Sequence, residues 1–229
     1  MNATSRKALW RLLILVPAPS LGVCAGMIWW PDTVFGKAIF FAMKIWLLAF
    51  PLICFLWLDR QRRSASPMRQ GGALVGAALG VAISAFIFGV YALVGDRLID
   101  PAMIQTRMQA VGLDTIPAYL VGAAYWITIN SLLEEYVWRW FVVRQCEQLS
   151  RRPIIAILLS ALGFTIHHIV AMQLFMSWTG VAFSALGIFV GGAIWSACYV
   201  RYRSIWPGYI SHAIVDIAVF GIGYRLIFL

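Results

Sequence analysis

Glu134 and Glu135 stand side by side in the apolar stretch AYWITINSLLEEYVWRWFVV, with Arg139 four residues beyond the second carboxylate. A charged side chain at membrane depth costs about 2.5 kcal/mol or more, so a doublet of them in such a stretch points to a function. Two further apolar stretches carry polar groups of complementary type. SALGFTIHHIVAM holds His167 and His168, and SIWPGYISHAIVD holds His212 and Asp216. A carboxylate can take a proton from water, and a histidine can hold or polarise that water. Together these three sites are the case for an enzyme.

Helical spacing divides the roles. Residues three and four apart share a face, which sets Glu134 over Asn130 and Ser131, and Glu135 over Ser131 and Arg139. The two carboxylates then project about 100° apart. On this reading Glu135 pairs with Arg139 and stays ionised, leaving Glu134 free to act as a base. The alternative is that both glutamates only tie helices together through ion pairs. His168 shares a face with Phe164 and His167 with Gly163, so adjacent histidines cannot both face one cavity, and one of them is a packing residue. His212 and Asp216, four apart, face one cavity together; a purely structural hydrogen-bonded couple is the competing reading.

The elements that must position these groups are membrane helices. Of the 229 residues, 62% are hydrophobic, and the mean hydropathy is +0.84. No soluble core could hide that excess. The chain is predicted to be an all-α polytopic membrane protein, a single domain over residues 1–229 with about seven spanning segments near 8–30, 34–58, 71–95, 115–146, 153–176, 180–200 and 205–228. The N-terminal helices occupy 1–114 and the chemistry lies in 115–220. The fourth segment is too long for a straight span. The first begins basic and then apolar, like a signal peptide, but Pro17 and Pro19 interrupt it and it reads as a helix that stays.

Charge sets the orientation. The net charge of +9 would suggest nucleic acid in a soluble chain; here the cations cluster in alternate loops, at Arg6, Lys7 and Arg11, at Arg60, Arg62, Arg63 and Arg69, at Arg144, Arg151 and Arg152, and at Arg201 and Arg203. That pattern predicts a cytoplasmic N-terminus and contact with anionic headgroups, and no nucleic-acid partner. Measured from the cytoplasmic ends, Glu134, His212 and Asp216 lie about 11–18 Å into their helices, with His168 about one turn deeper. Gly72, Gly76 and Gly80, and again Gly187 and Gly191, recur at a spacing that lets helices approach closely. The loop from Asp96 to Asp114 is long enough for a short interfacial helix. Lys37 suits snorkelling to an interface, while Lys44 lies mid-segment with no partner evident. Cys24, Cys54, Cys146 and Cys198 are scattered, without disulfide or metal-site spacing. Trp29, Trp30, Trp57, Trp178 and Trp206 fall near segment ends, as an aromatic belt would place them.

EEYVWR is an EExxxR motif, FTIHH supplies FxxxH ending at His168, and HAIVD matches Hxxx(N/D). In this order, on separate helices, they resemble the CPBP family of intramembrane proteases, over roughly residues 115–220. That family includes the CAAX prenyl endopeptidases, which trim prenylated Ras-like proteins, and bacterial homologues linked to bacteriocin processing or immunity. The resemblance implies an endopeptidase acting on a membrane-associated peptide or protein, without a cofactor. It implies Glu134 as the base that activates water, and His168 as the group holding that water. His212 and Asp216 would stabilise the oxyanion, with Glu135 and Arg139 as supports. The eukaryotic members carry Asn where this chain has Asp216, and an ionised carboxylate would repel an oxyanion, so Asp216 must be protonated or act by orienting His212. A second reading places zinc on Glu134, His168 and His212; the absence of HExxH counts against it. A third makes the chain a non-enzymatic immunity or transport-like protein. The short loops suit a bacterial plasma membrane. The substrate and the oligomeric state are not written in the sequence.

Overall fold

A computed structural model of the chain describes residues 2–60, 66–68 and 72–229, so Arg62, Arg63 and Arg69 of the basic loop lie outside the described residues. Among those residues seven helices are long and apolar enough to cross a membrane. We label the helices α1 (Ala3–Trp29), α2 (Val34–Leu58), α3 (Gly72–Leu98), α4 (Pro101–Ala110), α5 (Ile116–Ser150), α6 (Pro153–Met172), α7 (Trp178–Tyr202) and α8 (Trp206–Phe228). All but α4 are candidate spans, and no strand occurs among the described residues. The short α4 is the helix predicted in the Asp96–Asp114 loop; Asp100 caps it by accepting the Ala102 N–H at 3.0 Å.

Local chemistry explains where the helices start and stop. Asn2 accepts the Ser5 N–H at 2.9 Å, so α1 begins at Ala3 and its first turns carry the basic residues expected to precede it. The break at Val16–Pro17 follows from the two prolines. Helix α6 stops at Met172, short of the predicted 176; the chain turns over 173–176, and Ser177 caps α7. Arg151 in a left-handed conformation (φ 57°) ends α5, and Pro153 opens α6. The long α5 runs unbroken across the bundle through two stretches of wide, i→i+5 winding, Trp126–Asn130 and Glu135–Val143.

Helices α3 and α8 pack along each other, as do α6 and α7. The Gly72–Gly76–Gly80 stripe is the reason α3 can do so. A Cβ added at Gly80 would lie 2.8 Å from the Ile214 Cβ, and one at Gly76 would strike the Pro207 carbonyl. On α7 the expectation needs correcting: Gly187 faces open space and Gly191 meets only Trp195 of its own helix. Gly192 is the close-packed residue instead, against Phe164 and Ala161. The core is built around α5, whose Val137, Trp138, Trp140, Phe141, Val142 and Val143 are all buried. Polar contacts gather the basic helix ends at one end of the bundle. Arg11 grips Asp59 with two hydrogen bonds of 2.6 and 3.1 Å, Arg203 grips Glu147 at 2.7 and 2.8 Å, and Ser5 reaches the Gln148 carbonyl at 3.0 Å. Gln105 and Leu226 meet at the opposite end.

Candidate active site

Glu134 and Glu135 keep ordinary helical dihedrals, φ −66° and ψ −42° at the first and φ −63° and ψ −38° at the second, yet their carboxylates reach opposite nitrogens of one imidazole. His212 Nδ1 donates to Glu135 Oε1 at 3.1 Å, and His212 Nε2 stands 3.7 Å from Glu134 Oε2. Wide i→i+5 winding of the kind that follows from Glu135 recurs at functional sites. Glu135 also faces Arg139 as expected, Oε1 to Nε at 3.4 Å. It is therefore a support for His212 as well as an ion-pair partner. Its second oxygen lies against Gly208, where an added Cβ would collide with it.

Accessibility separates the two acids. Glu135 and Arg139 are closed off, at 0% and 1% side-chain exposure, whereas Glu134 keeps 14% and Asp216 19%. The Arg139 guanidinium lies over the rings of Phe164 at 4.5 Å and Trp195 at 5.1 Å, which offsets part of the cost of burying it. Asn130 donates to Glu134 Oε1 at 3.0 Å and fixes that carboxylate's rotamer.

His212 is stacked on Trp195, centroids 4.1 Å apart and planes 17° apart, and Trp195 in turn donates its Nε1–H to Ser211 at 2.9 Å. With Nδ1 committed to Glu135, the Nε2 edge faces Glu134 and, at 3.8 Å, Asp216 Oδ1. Both separations are too long for hydrogen bonds, so that edge is open to a third group. Asp216 is anchored through its other oxygen, 2.6 Å from the Ser131 hydroxyl.

His168 lies one turn beyond Phe164 on α6. Its Nδ1 is 2.9 Å from the Phe164 carbonyl; a carbonyl only accepts, so Nδ1 carries the hydrogen and Nε2 is left to act. Phe164 packs between the two histidines, 4.3 Å from His168 and 6.1 Å from His212. The structure thus brings Glu134, Glu135, Arg139, His212 and Asp216 into one cluster, with His168 joined to it across the Phe164 ring. His167 sits beside His168 with a buried Nδ1 that has no hydrogen-bond partner among the described residues. Lys44 lies over the Phe40 ring at 5.7 Å, and Lys37 is exposed.

Sequence reasoning missed Trp195, Ser131 as an Asp216 anchor, and Gly208. Ser131 had been placed on the glutamate face, which was a usable signal; Trp195 is one tryptophan among eleven, and its stacking depends on how α7 meets α8. Two cavities, of about 510 and 390 Å³, open at the basic end, sharing Trp140, Arg144 and Gln148; neither is lined by the carboxylate–histidine cluster. Among the described residues, no three His, Cys, Asp or Glu are grouped so as to hold a metal ion.

Residues 115–218 match the family model described as Rce1-like, type II CAAX prenyl endopeptidase. No curated protein and no solved structure matches the chain. The EExxxR, FxxxH and Hxxx(N/D) residues all fall inside the matched region. Over residues 115–218, just under half of its length, the chain is similar to type II CAAX prenyl endopeptidases, a match that implies a protease, and the seven long apolar helices suit a multi-pass membrane protein.

Proposed function

We propose that this protease hydrolyses a peptide bond in a membrane-associated protein or peptide with a water activated by Glu134, without a metal. The observation that carries the reading is the division between two acids on one imidazole: a partly exposed Glu134 and a closed-off Glu135. Glu134 takes a proton from water as the oxygen attacks the scissile carbonyl, and His168 Nε2 accepts a hydrogen bond that holds the water. The oxyanion then forms beside His212 Nε2. Nδ1 already gives its hydrogen to Glu135, so His212 must carry hydrogens on both nitrogens to donate at Nε2. Glu135 stabilises that imidazolium and Arg139 balances Glu135. A donor aimed at an oxyanion in a dry site contributes about 3 kcal/mol. Glu134 finally returns its proton to the leaving amine.

The cations gathered at one end, Arg11, Arg144 and Arg203 among them, support a cytoplasmic N-terminus, and the short loops support a bacterial plasma membrane. The test is mass spectrometry of membrane peptides from cells expressing wild-type protein or Glu134→Gln at equal levels, with a parallel chelator treatment of isolated membranes. Processing that disappears in Glu134→Gln and survives chelation is expected. Loss on chelation would restore the zinc reading, and a biological effect retained by Glu134→Gln would favour a binding role.

A further inference from the structure

One hydroxyl hydrogen at Ser131 faces two short contacts. Ser131 Oγ lies 2.8 Å from the Trp126 carbonyl and 2.6 Å from Asp216 Oδ2. A serine hydroxyl donates once, and a carbonyl and a carboxylate oxygen only accept. If the hydrogen points to Asp216, two bare acceptors are left 2.8 Å apart at Trp126. If it points to Trp126, the 2.6 Å contact needs its hydrogen from Asp216. Only the second arrangement gives each contact a hydrogen.

Charge balance points the same way from a different observation. The groups around Asp216 are Ser131 and Glu134 on α5, His212 on its own helix and His168 on α6, with Glu135 and Arg139 behind His212. Ionised Glu134 and Glu135 are balanced by Arg139 and an imidazolium at His212. An ionised Asp216 would add an uncompensated negative charge among apolar helices, which is costly.

We propose that Asp216 is a neutral carboxylic acid whose proton is held on Oδ2 by Ser131, making Ser131 a positioning residue of the site. The inference rests on the oxyanion reading of His212 and Asp216 and deepens it. A neutral carboxyl does not repel the oxyanion forming at His212 Nε2. It also has the shape and charge of an amide, and an asparagine at 216 would donate to Ser131 from the same place.

The test combines infrared spectroscopy with kinetics on the purified full chain in lipid. The C=O stretch of an un-ionised carboxylic acid is expected in wild-type and in Glu134→Gln protein, absent in Asp216→Asn and shifted in Ser131→Ala. Asp216→Asn is expected to retain cleavage within about tenfold of wild type, well short of the roughly 100-fold or greater loss that follows removal of an oxyanion donor. Absence of an Asp216-dependent band overturns the proposal, as does a 100-fold loss in Asp216→Asn protein with wild-type thermal stability. Activity retained by Glu134→Gln would instead remove the glutamate-base reading and leave the band untouched.

Discussion

The proposed chemistry depends on a buried polar cluster whose charges compensate one another. Arg139 is enclosed, and none of its nitrogens makes a hydrogen bond among the described residues, so the Glu135 carboxylate and two aromatic faces are its compensation. Removing one partner of such a pair leaves a bare charge and typically costs about 3–5 kcal/mol. Arg139→Leu is therefore expected to lower thermal stability by that order, and Glu135→Gln/Arg139→Leu to recover part of it; recovery is the sign that the lost charge balance was the cause. Gly208→Ala is expected to push Glu135 away from His212 and reduce turnover by about tenfold or more, on the scale of misplacing a general-catalytic group. Unchanged turnover would remove Glu135 from its supporting role. At this scale the sequence exposed the charged members, because Glu134, Glu135, Arg139, His212 and Asp216 are conspicuous in apolar helices. It could not expose Trp195 or Gly208, whose roles arise only where α7 and α8 meet α5.

At the scale of the helices, length and hydropathy were enough to find all seven spans, since a bilayer imposes a fixed apolar length. Winding was not legible. The i→i+5 winding from Glu135 to Val143 coincides with the burial of Trp138 and Arg139, and no local sequence signal marks it. The glycine stripe of α3 was legible as a packing face, and the contrast with Gly187 makes it testable. Gly76→Ala would drive a methyl into the α8 backbone at Pro207, whereas Gly187→Ala meets open space. The expected result is a loss of stability and activity for the first, of about 1–3 kcal/mol as in overpacked cores, and no measurable change for the second. Equal behaviour of the two variants in a thermal unfolding assay would contradict the α3–α8 register.

Across the whole molecule, the chain sorts its charge by end. Among the described residues the basic end holds nine cations, and only Asp59 and Glu147 as carboxylates, each already gripped by an arginine. That asymmetry predicts orientation, and it is checked by labelling single cysteines in a cysteine-free background. Residue 4 is expected to react from the cytoplasmic side and residue 105 from the other; the reverse would invert the bundle. Whether the bundle is a glutamate protease rests on one group. The most direct measurement is cleavage of a membrane-embedded reporter peptide by purified, lipid-reconstituted wild-type and Glu134→Gln proteins of matched thermal stability. Loss of a general base is expected to slow cleavage by about 100-fold or more, and cleavage by Glu134→Gln at a rate near wild type would contradict the mechanism.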